Sequence, residues 1–532
     1  GNIEDLQLEN VEINADKIKY VGIIGNSSGY INNIKMREVN VTGQNYVASL
    51  LCYSNGSNGI ENVQADNITI QATGNNVGGV VAYNSGNIIN NIYIKDSAIE
   101  GNDTVGGVIG QGTGYSDSSG IMNITSYDVS VKGKSKVWGL IGYSGDFGLK
   151  SSKVKDSTIL GNGNCIGGAI GQKSDWSGST NVVVENCIIE NTNIEADGIG
   201  GIVGYDGGNT VNYYYIRDSQ IISAGKNVGG LFGIKLSNTY ISSSAGYNLK
   251  IEGDNNVGGI LGSGNAKLNN NYINADIKVY TDTAGGFIGK LQNENMSSGS
   301  NVSNIYQNYF VGTITGKKNV GGQIGNIESD IYIGNNDTYY YYSNFVQADL
   351  NSDDNLTISL GIGSKSEQNQ RLKDMYYYKY STINGENPNE QNEVFISNDR
   401  YLVEEELKQQ NTYTSKLKWT TSSWNFDMLT NNKYPIIKYV SFTEKQEGID
   451  LPIDSEHIVG NINNSMEIEN TESQEQLEQT FEYSNKTIQT YNTYSVITAT
   501  DGSKATRNIK LYVKDNNLYA VPSVLNVNDE TE

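Results

Sequence analysis

The sequence predicts an all-β protein whose main part is a parallel β-helix, or solenoid, of about eleven coils. Three observations lead to this class. A string V-G-G-Φ-Φ-G, in which Φ is apolar, recurs along the chain; Val and Ile alternate with polar residues inside each repeat; and no Pro precedes Pro388 among 532 residues. Alternation with a period of two is typical of strands. Because Pro removes a backbone donor, its absence favours strands that are hydrogen-bonded on both sides.

The recurring string sets the length of one coil. Its eleven copies end at Gly25, Cys52, Ala82, Gly110, Gly142, Gly171, Gly204, Gly233, Gly262, Gly289 and Gly325, a mean spacing of about 30 residues. Each repeat also contains a string I/V-x-N-I/V, such as Ile31 to Ile34, and a short alternating run, such as Ile68 to Ile70. We therefore expect three short strands per coil, each paired in parallel with its equivalent one coil later.

Asparagine recurs at one position of the repeat and predicts a column of stacked amides. The residues assigned to this column are Asn33, Asn62, Asn91, Asn123, Asn186, Asn271 and Asn304. In stacked coils their side chains would hydrogen-bond along the solenoid axis. Asn also tolerates the left-handed backbone conformation that a corner requires. We interpret the column as structural and not as a ligand-binding site.

Four aspartates could form an acidic ladder on one edge. Asp96, Asp128, Asp156 and Asp218 each precede a repeat core by nine or ten residues. Some parallel β-helices are polysaccharide lyases or glycosidases that depend on carboxylate clusters, and carboxylates also bind calcium. In other repeats Asn occupies this position. Exchange of Asp with Asn favours a turn residue that bonds its own backbone, and we expect that role over calcium binding or catalysis.

Two tyrosine clusters and one Gly-Lys-Ser string are further candidates for binding. Tyr213 to Tyr215 and Tyr339 to Tyr342 could form a sugar-stacking or protein-contact surface, or could pack on solvent-facing strands. Gly133-Lys134-Ser135 lacks the Gly five residues earlier that a phosphate-binding loop requires, since Asp128 stands there. We expect this string to be structural.

Cysteine and histidine are too scarce for most catalytic chemistry. Cys52 stands where related repeats have Gly or Ala, which predicts a small buried residue, and a pair between Cys165 and Cys187 stays open. His457 is the only histidine and is expected on the surface. Zinc sites and Ser or Cys triads need at least one histidine and usually more. We therefore expect no catalytic, cofactor-binding or metal-binding residue.

Charge and hydropathy exclude two classes of partner. The net charge is −22, and the pI is about 4.5, which argues against nucleic acid because phosphates require Lys and Arg. The sequence has no run of 18 or more apolar residues, so we expect no membrane insertion.

The regular repeat ends near residue 325, and three further regions follow. We expect a capping, irregular module at 326–440, an acidic linker at 441–485 and a small β meander at 486–532. In the module, Leu402 to Gln410 predicts a short helix, and the aromatic residues from Trp419 to Tyr439 are expected to cap the last coil.

The repeats resemble the GLUG repeats of bacterial surface proteins, and the resemblance covers residues 1 to 325. The helix, W-N-F-D and K-Y-P-I-I-K block, with the later Q-E-G-I-D-L-P, is similar to the non-catalytic N-terminal region of the immunoglobulin A protease family of zinc metallopeptidases from Gram-positive bacteria. That family's zinc motif, H-E-x-x-H with a distant Glu, does not occur in this sequence. No catalytic or metal-binding residue is therefore carried over.

The resemblance implies a secreted or cell-wall-attached segment of a longer polypeptide, in keeping with a chain that starts at Gly1 without Met or signal peptide. We expect a non-catalytic spacer and substrate-recognition region of a zinc metallopeptidase, not itself an enzyme and without a cofactor. The partner would be a host glycoprotein such as immunoglobulin, or a surface glycan. An adhesin-type solenoid is the alternative, and a β-helix carbohydrate-active enzyme is a third hypothesis.

Overall fold

The computed structural model confirms the predicted class, a parallel β-solenoid of about eleven turns. It describes residues 1–56, 58–86, 88–113, 120–145, 148–163, 165–173, 184–196, 199–207, 211–236, 240–265, 267–292, 302–328, 332–333, 341–353, 357–365, 375–386, 400–438, 449–452, 490–498, 504–514 and 517–522.

Three parallel sheets form the sides of the solenoid. Sheet 1 contains Ile3–Asn14, Ile31–Gly43, Ile60–Ala72, Ile89–Glu100, Ile121–Gly133, Leu149–Lys155, Thr158–Gly161, Val184–Glu190, Asn193–Ala196, Val211–Arg217, Gln220–Ser223, Tyr240–Ser242, Ala245–Gly253, Lys267–Asn269, Tyr272–Val279, Ile305–Tyr306, Tyr309–Gly316, Tyr341–Tyr342, Asn344–Ser352, Met375–Tyr378, Thr382–Ile383 and Tyr401–Leu402. Sheet 2 contains Lys19–Val21, Asn45–Ala48, Asn75–Gly78, Asp103–Gly106, Ser135–Trp138, Ile166–Gly167, Ile199–Gly200, Lys226–Gly229, Asn255–Gly258, Ala284–Gly285, Val320–Gly321 and Ile358–Ser359. Sheet 3 contains Ile24–Ser27, Leu51–Ser54, Val81–Ser85, Ile109–Thr113, Ile141–Ser144, Ile170–Lys173, Val203–Asp206, Phe232–Lys235, Leu261–Gly264, Ile288–Leu291, Ile324–Ile327 and Ile362–Lys365. Val302–Ser303 also pairs in parallel with Tyr332–Ile333.

The V-G-G-Φ-Φ-G string forms a corner, where the sequence predicted a single strand. In the third coil Asn75–Gly78 ends in sheet 2 and Val81–Ser85 begins in sheet 3, so that Gly79 and Val80 make the corner between them. A Cβ atom on Gly79 would overlap the carbonyl oxygen of Gly107 in the next coil. The Gly is needed because backbone passes closely over backbone at the corner.

The I/V-x-N-I/V string and the run after it form one long strand in the early coils, where the sequence predicted two. Ile60–Ala72 bends at Asn62 and Asn67, whose φ angles are 56° and 55°. Such left-handed residues turn the chain while the residues around them keep their pairing with the next coil. The early coils contain the expected three strands, but with different boundaries, and from Leu149–Lys155 onward sheet 1 contributes two strands to a coil.

Strand ladders continue beyond Gly325, where the repeat weakens. In the described residues, sheets 2 and 3 each contain twelve strands. The last strand of sheet 2 is Ile358–Ser359, and the last strand of sheet 3 is Ile362–Lys365. Their sequence I-S-L-G-I-G has lost the Gly pair, yet Ile358 and Leu360 remain buried. The region that the sequence analysis assigned to a module at 326–440 therefore contains solenoid strands.

Inward-facing side chains of the three sheets form one continuous apolar core. In strand Ile60–Ala72, for example, Ile60, Val63, Ile68 and Ile70 are fully buried. Each of them lies in register with an apolar residue of the neighbouring coil. Full burial of such a side chain contributes about 1.5–3 kcal/mol, so stacking one coil on the next is the main source of stability.

Residues 400–438 and 449–451, here called the flank module, contain a second apolar cluster. The module comprises the α-helix Glu404–Leu407, the π-helix Thr412–Lys416, the 3₁₀-helix Asp427–Asn431 and the antiparallel strands Trp424–Asn425 and Ile436–Ile437. The predicted helix is thus shorter than expected. Tyr309 of sheet 1 lies 5.4 Å from Trp419, 5.6 Å from Trp424 and 5.2 Å from Tyr434 between ring centroids.

An outward-facing column of sheet 1 explains where the flank module packs. In register the column runs through Gln64, Tyr93, Thr125, Lys153, Ile188, Tyr215, Ala245, Tyr272, Tyr309 and Phe345. From Ile188 onward its residues are apolar or aromatic and buried. Trp419 and Trp424 therefore pack on the side of the solenoid, whereas the sequence analysis placed them over its last coil.

The chain from Pro452 onward is a second compact unit. In this unit Thr490–Thr498, Lys504–Lys514 and Asn517–Pro522 form an antiparallel three-stranded sheet, which confirms the predicted meander. The acidic linker predicted at 441–485 lies outside the described residues except for 449–452.

Trp138 is an irregularity that the next coil accommodates. It is fully buried at a position held by Gly106 and Gly167 in the adjacent coils. A Cβ atom on Gly171 would overlap the indole ring of Trp138. The ring therefore occupies the space that a side chain at Gly171 would need.

We predict that Ile260→Asp lowers the free energy of unfolding by several kcal/mol, because Ile260 is fully buried and Asp would be an unpaired charge. Ser130→Asp, on an exposed outward position, is the control and should change the melting temperature little. Calorimetry on both variants measures their melting temperatures. Equal melting temperatures would show that the side chain of Ile260 does not lie in the core.

A double-mutant cycle tests the fit between Trp138 and Gly171. Gly171→Ala should destabilise at the upper end of about 1–3 kcal/mol through overpacking, and Trp138→Gly should cost about 3–5 kcal/mol through a cavity. Combined, they should cost clearly less than their sum, because the added methyl no longer meets the indole. Additive losses in urea unfolding would contradict this packing.

Candidate functional site

The four aspartates considered for an acidic ladder lie at a bend of the backbone. Asp96, Asp128, Asp156 and Asp218 have φ of 49° to 50°, and Asn67, Asn191 and Asn248 share this left-handed conformation in the same register. The amides of Asn191 and Asn248 donate to the carboxylates of Asp156 and Asp218, each at 2.7 Å. The expected position at a turn is observed, but the carboxylates of Asp156 and Asp218 bond to side chains of the next coil, where a bond to their own backbone was expected.

The serine that follows three of these aspartates completes the bend. The Ser97 hydroxyl donates to the carbonyl of Lys95 at 2.5 Å and accepts from the backbone N–H of Ile68, one coil earlier, at 2.9 Å. Ser157 and Ser219 make the same two bonds. The hydroxyl satisfies a buried N–H that would otherwise lose its ladder partner at the bend. This role of the serine hydroxyl was not predicted from the sequence.

The predicted asparagine column is present in the early coils as left-handed residues, Asn33, Asn62, Asn91 and Asn123, but only the bond from Asn91 to Asn62 joins two of its members. Asn62 donates to Asn32 at 2.8 Å, Asn91 to Asn62 at 2.6 Å and Asn123 to Asn90 at 2.8 Å, each reaching the preceding coil. Asn33 donates to the Asp5 carboxylate at 2.6 Å. The side chain of Asn186 lies outside the described part of the chain.

Asn271 and Asn304 were assigned wrongly to that column. The left-handed position is taken by Asn270, one residue before Asn271, and by Gln307, three residues after Asn304. Asn271 instead starts a buried column in which its amide donates to Asn308 at 2.9 Å and Asn308 donates to Asn344 at 3.0 Å.

The flank module uses the left-handed column as its docking points. The Trp424 indole donates to Asn270 at 2.8 Å, the Trp419 indole donates to the Ser343 carbonyl at 3.0 Å, and Gln307 donates to the Lys418 carbonyl. These three solenoid residues belong to successive coils. The bends thus expose polar groups of the solenoid, and hydrogen bonds to these groups position the flank module.

Among the tyrosines singled out in the sequence, those whose side chains the structure describes do not form an exposed surface. Tyr214 is fully buried in the core, and Tyr215 is covered within the flank-module cluster. Tyr342 is half-buried and stacks on Tyr306 with a centroid distance of 5.1 Å. Tyr339 and Tyr340 lie outside the described residues, as does the side chain of Tyr341.

A different group of tyrosines, here called the tyrosine patch, does reach the surface. Tyr20 stacks on Tyr46 with centroids 4.7 Å apart, and Tyr53 stacks on Tyr83 at 4.8 Å. The two stacks meet edge to face, with Tyr46 and Tyr53 6.3 Å apart. Tyr20 is 48% exposed, and the others are half-buried. Recurrence of Tyr at the repeat spacing was the signal that the sequence analysis missed.

A column of charges runs along the outer face of sheet 1 and alternates in sign in several coils. In register it contains Glu9, Arg37, Asp66, Lys95, Tyr127, Lys155, Glu190 and Arg217. Arg37 pairs with Glu9, and Lys95 lies 3.0 Å from Asp66. Since a one-residue slip would remove these pairs, the column favours the observed register.

Glu190 is the most enclosed carboxylate of this column. Arg217 lies 2.5 Å, Lys153 3.2 Å and Lys155 3.4 Å from its oxygens. Burial raises the pKa of Glu190, but the hydrogen bonds from Lys153 and Arg217 and the attraction of their charges together outweigh burial and leave this pKa below its ordinary value.

Asp206 and Lys235 form a buried ion pair that sequence reasoning did not find. Lys235 Nζ lies 2.5 Å from Asp206 Oδ2, and both side chains are fully buried. Their equivalence in adjacent strands of sheet 3 brings them together. A carboxylate beside a lysine could serve acid–base chemistry, but a substrate cannot reach groups without exposed surface. We assign the pair to the core.

Cysteine and histidine offer no reactive group in the described structure. Cys52, Cys165 and Cys187 form no disulfide, so the pair considered for Cys165 and Cys187 is not formed. Burial raises the pKa of the Cys52 thiol to about 12 and that of Cys165 to about 11, which disfavours the nucleophilic thiolate. His457 lies outside the described residues. Within those residues no group of three or more His, Cys, Asp and Glu could hold a metal ion.

Comparison with known proteins found no match of the chain to a family model, a curated protein or a solved structure. The part of the chain that the structure describes contains no helix long and apolar enough to span a membrane.

We predict that Glu190→Gln lowers the free energy of unfolding at pH 7 by about 1–3 kcal/mol, because three cations lose their charged partner. The folded-state pKa of Glu190 lies below the unfolded value of about 4.3. Ionised Glu190 therefore stabilises the fold above pH 4.3, and this contribution is lost as the pH falls through the folded-state pKa. Urea midpoints measured across this range should converge for wild type and variant.

Glu100→Gln is the matched control, since Glu100 pairs with Lys132 at 2.9 Å on an exposed surface. Its effect should be at most about 1 kcal/mol. A Glu190 variant as stable as the Glu100 variant at pH 7 would contradict the enclosed cluster.

Proposed function

We propose that this chain is the non-catalytic spacer and substrate-recognition region of a secreted or cell-surface bacterial zinc metallopeptidase of the immunoglobulin A protease type. Two observations support this proposal. The GLUG-like repeats and the W-N-F-D and K-Y-P-I-I-K block carry the resemblance, and the solenoid core is continuous from Val21 to Ile383. A stack of hydrogen-bonded coils holds two distant points at a fixed separation, which is what a spacer requires.

The single observation that carries the recognition role is the tyrosine patch. Four rings from three successive coils form a pre-ordered aromatic surface whose side chains already pack on one another. Ordered tyrosines supply contact area at little entropic cost and keep a hydroxyl available for hydrogen bonds. The phenol of Tyr83 lies 2.9 Å from the Thr113 hydroxyl, which orients that ring further. The partner would be a host glycoprotein such as immunoglobulin.

An adhesin-type surface solenoid is the second candidate. The same patch favours it, because tyrosine rings and hydroxyls also suit a surface glycan. A carbohydrate-active enzyme has less support: the four aspartates are bend residues, and Asp206 and Lys235 are enclosed. In both leading candidates the chain binds but performs no reaction and holds no cofactor.

Binding to immobilised immunoglobulin A tests the recognition role. The whole chain should bind, and the double variant Tyr20→Ser/Tyr53→Ser should bind at least about tenfold more weakly, because it removes one ring from each stack. Tyr93→Ser/Tyr127→Ser is the matched control, since these tyrosines are 37% and 36% exposed on sheet 1. The control should retain wild-type affinity. Equal losses in both variants would contradict a role for the patch.

Three further arms separate the candidates. Binding that survives enzymatic removal of the immunoglobulin glycans favours the metallopeptidase region, and binding to the released glycans favours the adhesin. The chain should leave the immunoglobulin uncleaved and should contain no stoichiometric zinc by metal analysis. Cleavage would refute the non-catalytic assignment, and absence of binding in every arm would refute recognition.

A further inference from the structure

One outward column of sheet 1 departs from its polar pattern at two positions. In register, this column runs through Gln71, Glu100, Lys132, Leu160, Glu195, Ile222 and Glu252. Leu160 and Ile222 are half-buried, whereas Ile159 and Ile221, the residues before them, are fully buried in the core. The core is thus filled from the other face of the sheet. Leu160 and Ile222 place aliphatic side chains on the outer face, where the rest of the column is polar.

These two aliphatic residues line a cleft of about 450 Å³, here called the outer cleft. Lys132, Glu195 and Asn162 also line it. Lys132, Leu160, Glu195 and Ile222 belong to four successive strands in register, so the cleft extends for about 14 Å along the solenoid axis. A concave surface that combines apolar side chains with a few polar groups is typical of a binding site.

The charge of the outer cleft limits what can bind there. Glu195 is exposed, and its carboxylate makes no hydrogen bond or ion pair with another described residue. Other acids of the same column are neutralised: Glu100 lies 2.9 Å from Lys132, and Glu252 lies 2.8 Å from Lys250. The pairing with Glu100 also offsets the charge that Lys132 brings to the cleft. Glu195 therefore offers a negative charge to a ligand, with an aliphatic side chain one coil to either side of it.

We propose that the outer cleft binds an arginine or lysine side chain of a partner polypeptide. The cation pairs with Glu195, and the aliphatic stem lies between Leu160 and Ile222. Arginine and lysine fit this arrangement because each carries a charged end on an apolar stem. A small free cation would leave most of the 14 Å cleft open, whereas a polypeptide also brings backbone groups that can bond to Asn162. This interaction is separate from the tyrosine-patch proposal and does not depend on it.

Saturation-transfer NMR on the whole chain tests the ligand class, because this method detects weak binding of small peptides to large proteins. The probes are three blocked alanine pentapeptides whose central residue is arginine, lysine or norleucine. The arginine and lysine peptides should bind, with the strongest transfer to the methylene protons of the central side chain. The norleucine peptide keeps the stem but lacks the charge, and should bind about three- to fivefold more weakly, the effect of one exposed ion pair. Equal binding of all three, or binding of none, would overturn the proposal.

Variants of the chain test the location of the site, with melting temperatures as the control for folding. Glu195→Gln should abolish the preference for arginine over norleucine. Leu160→Ser/Ile222→Ser should weaken binding of both peptides at least about fivefold, because the stem loses its apolar contacts.

Glu12→Gln is the matched control, since Glu12 is also exposed on sheet 1 but does not line the cleft. It should keep the wild-type preference. A preference that survives Glu195→Gln, or that Glu12→Gln reduces equally, would overturn the proposal. Acetyl-arginine amide that binds as tightly as the arginine peptide would also overturn it, because the site would then recognise a small cation and not a polypeptide.

Discussion

Residue-on-residue stacking is the constraint on which the structure depends. Neighbouring strands in a sheet lie about 4.8 Å apart, so every side chain has its equivalent residues above and below it. Apolar positions thereby become the core, and backbone crossing over backbone requires Gly at corners such as Gly79. Bends require residues that accept a left-handed backbone, such as Asn62 and Asp96. Like charges would also be stacked, which explains why Arg37 follows Glu9.

Residues that depart from the repeat mark the places where the solenoid makes contacts other than those between stacked coils. Tyr20 and Tyr53 lie where most coils have small or polar residues, and they create an exposed aromatic surface. In the later coils an outward column becomes aromatic, and Tyr309 receives the flank module. A regular scaffold thus tolerates local changes because each coil contacts mainly its two neighbours. A recognition surface is therefore expected at positions that depart from the repeat.

The fold could be predicted because its signal is repeated in every coil. Gly pairs, period-two alternation and missing Pro all indicate the same architecture, and the exchange of Asp with Asn at positions such as Asp156 correctly indicates a bend. Strand boundaries could not be predicted, because left-handed residues let one strand bend without ending. The positions of Asn271 and Trp419 could not be predicted for another reason: three consecutive asparagines at 269–271 leave the repeat position ambiguous, and only packing shows which outward column is apolar. Lys235 and Asp206 meet only through that packing.

Distances along one outward column test the central claim of register stacking most directly. Asn40, Ser130, Asn193, Gln220 and Lys250 belong to this column of sheet 1. In a Cys165→Ser background, one spin label is placed at position 40 and a second at one of the other four positions. Pulsed electron paramagnetic resonance then measures the distance between the two labels. The account predicts separations that grow by about 4.8 Å per coil, reaching about 34 Å between Asn40 and Lys250 after seven coils. Separations that do not increase linearly with coil number would contradict it.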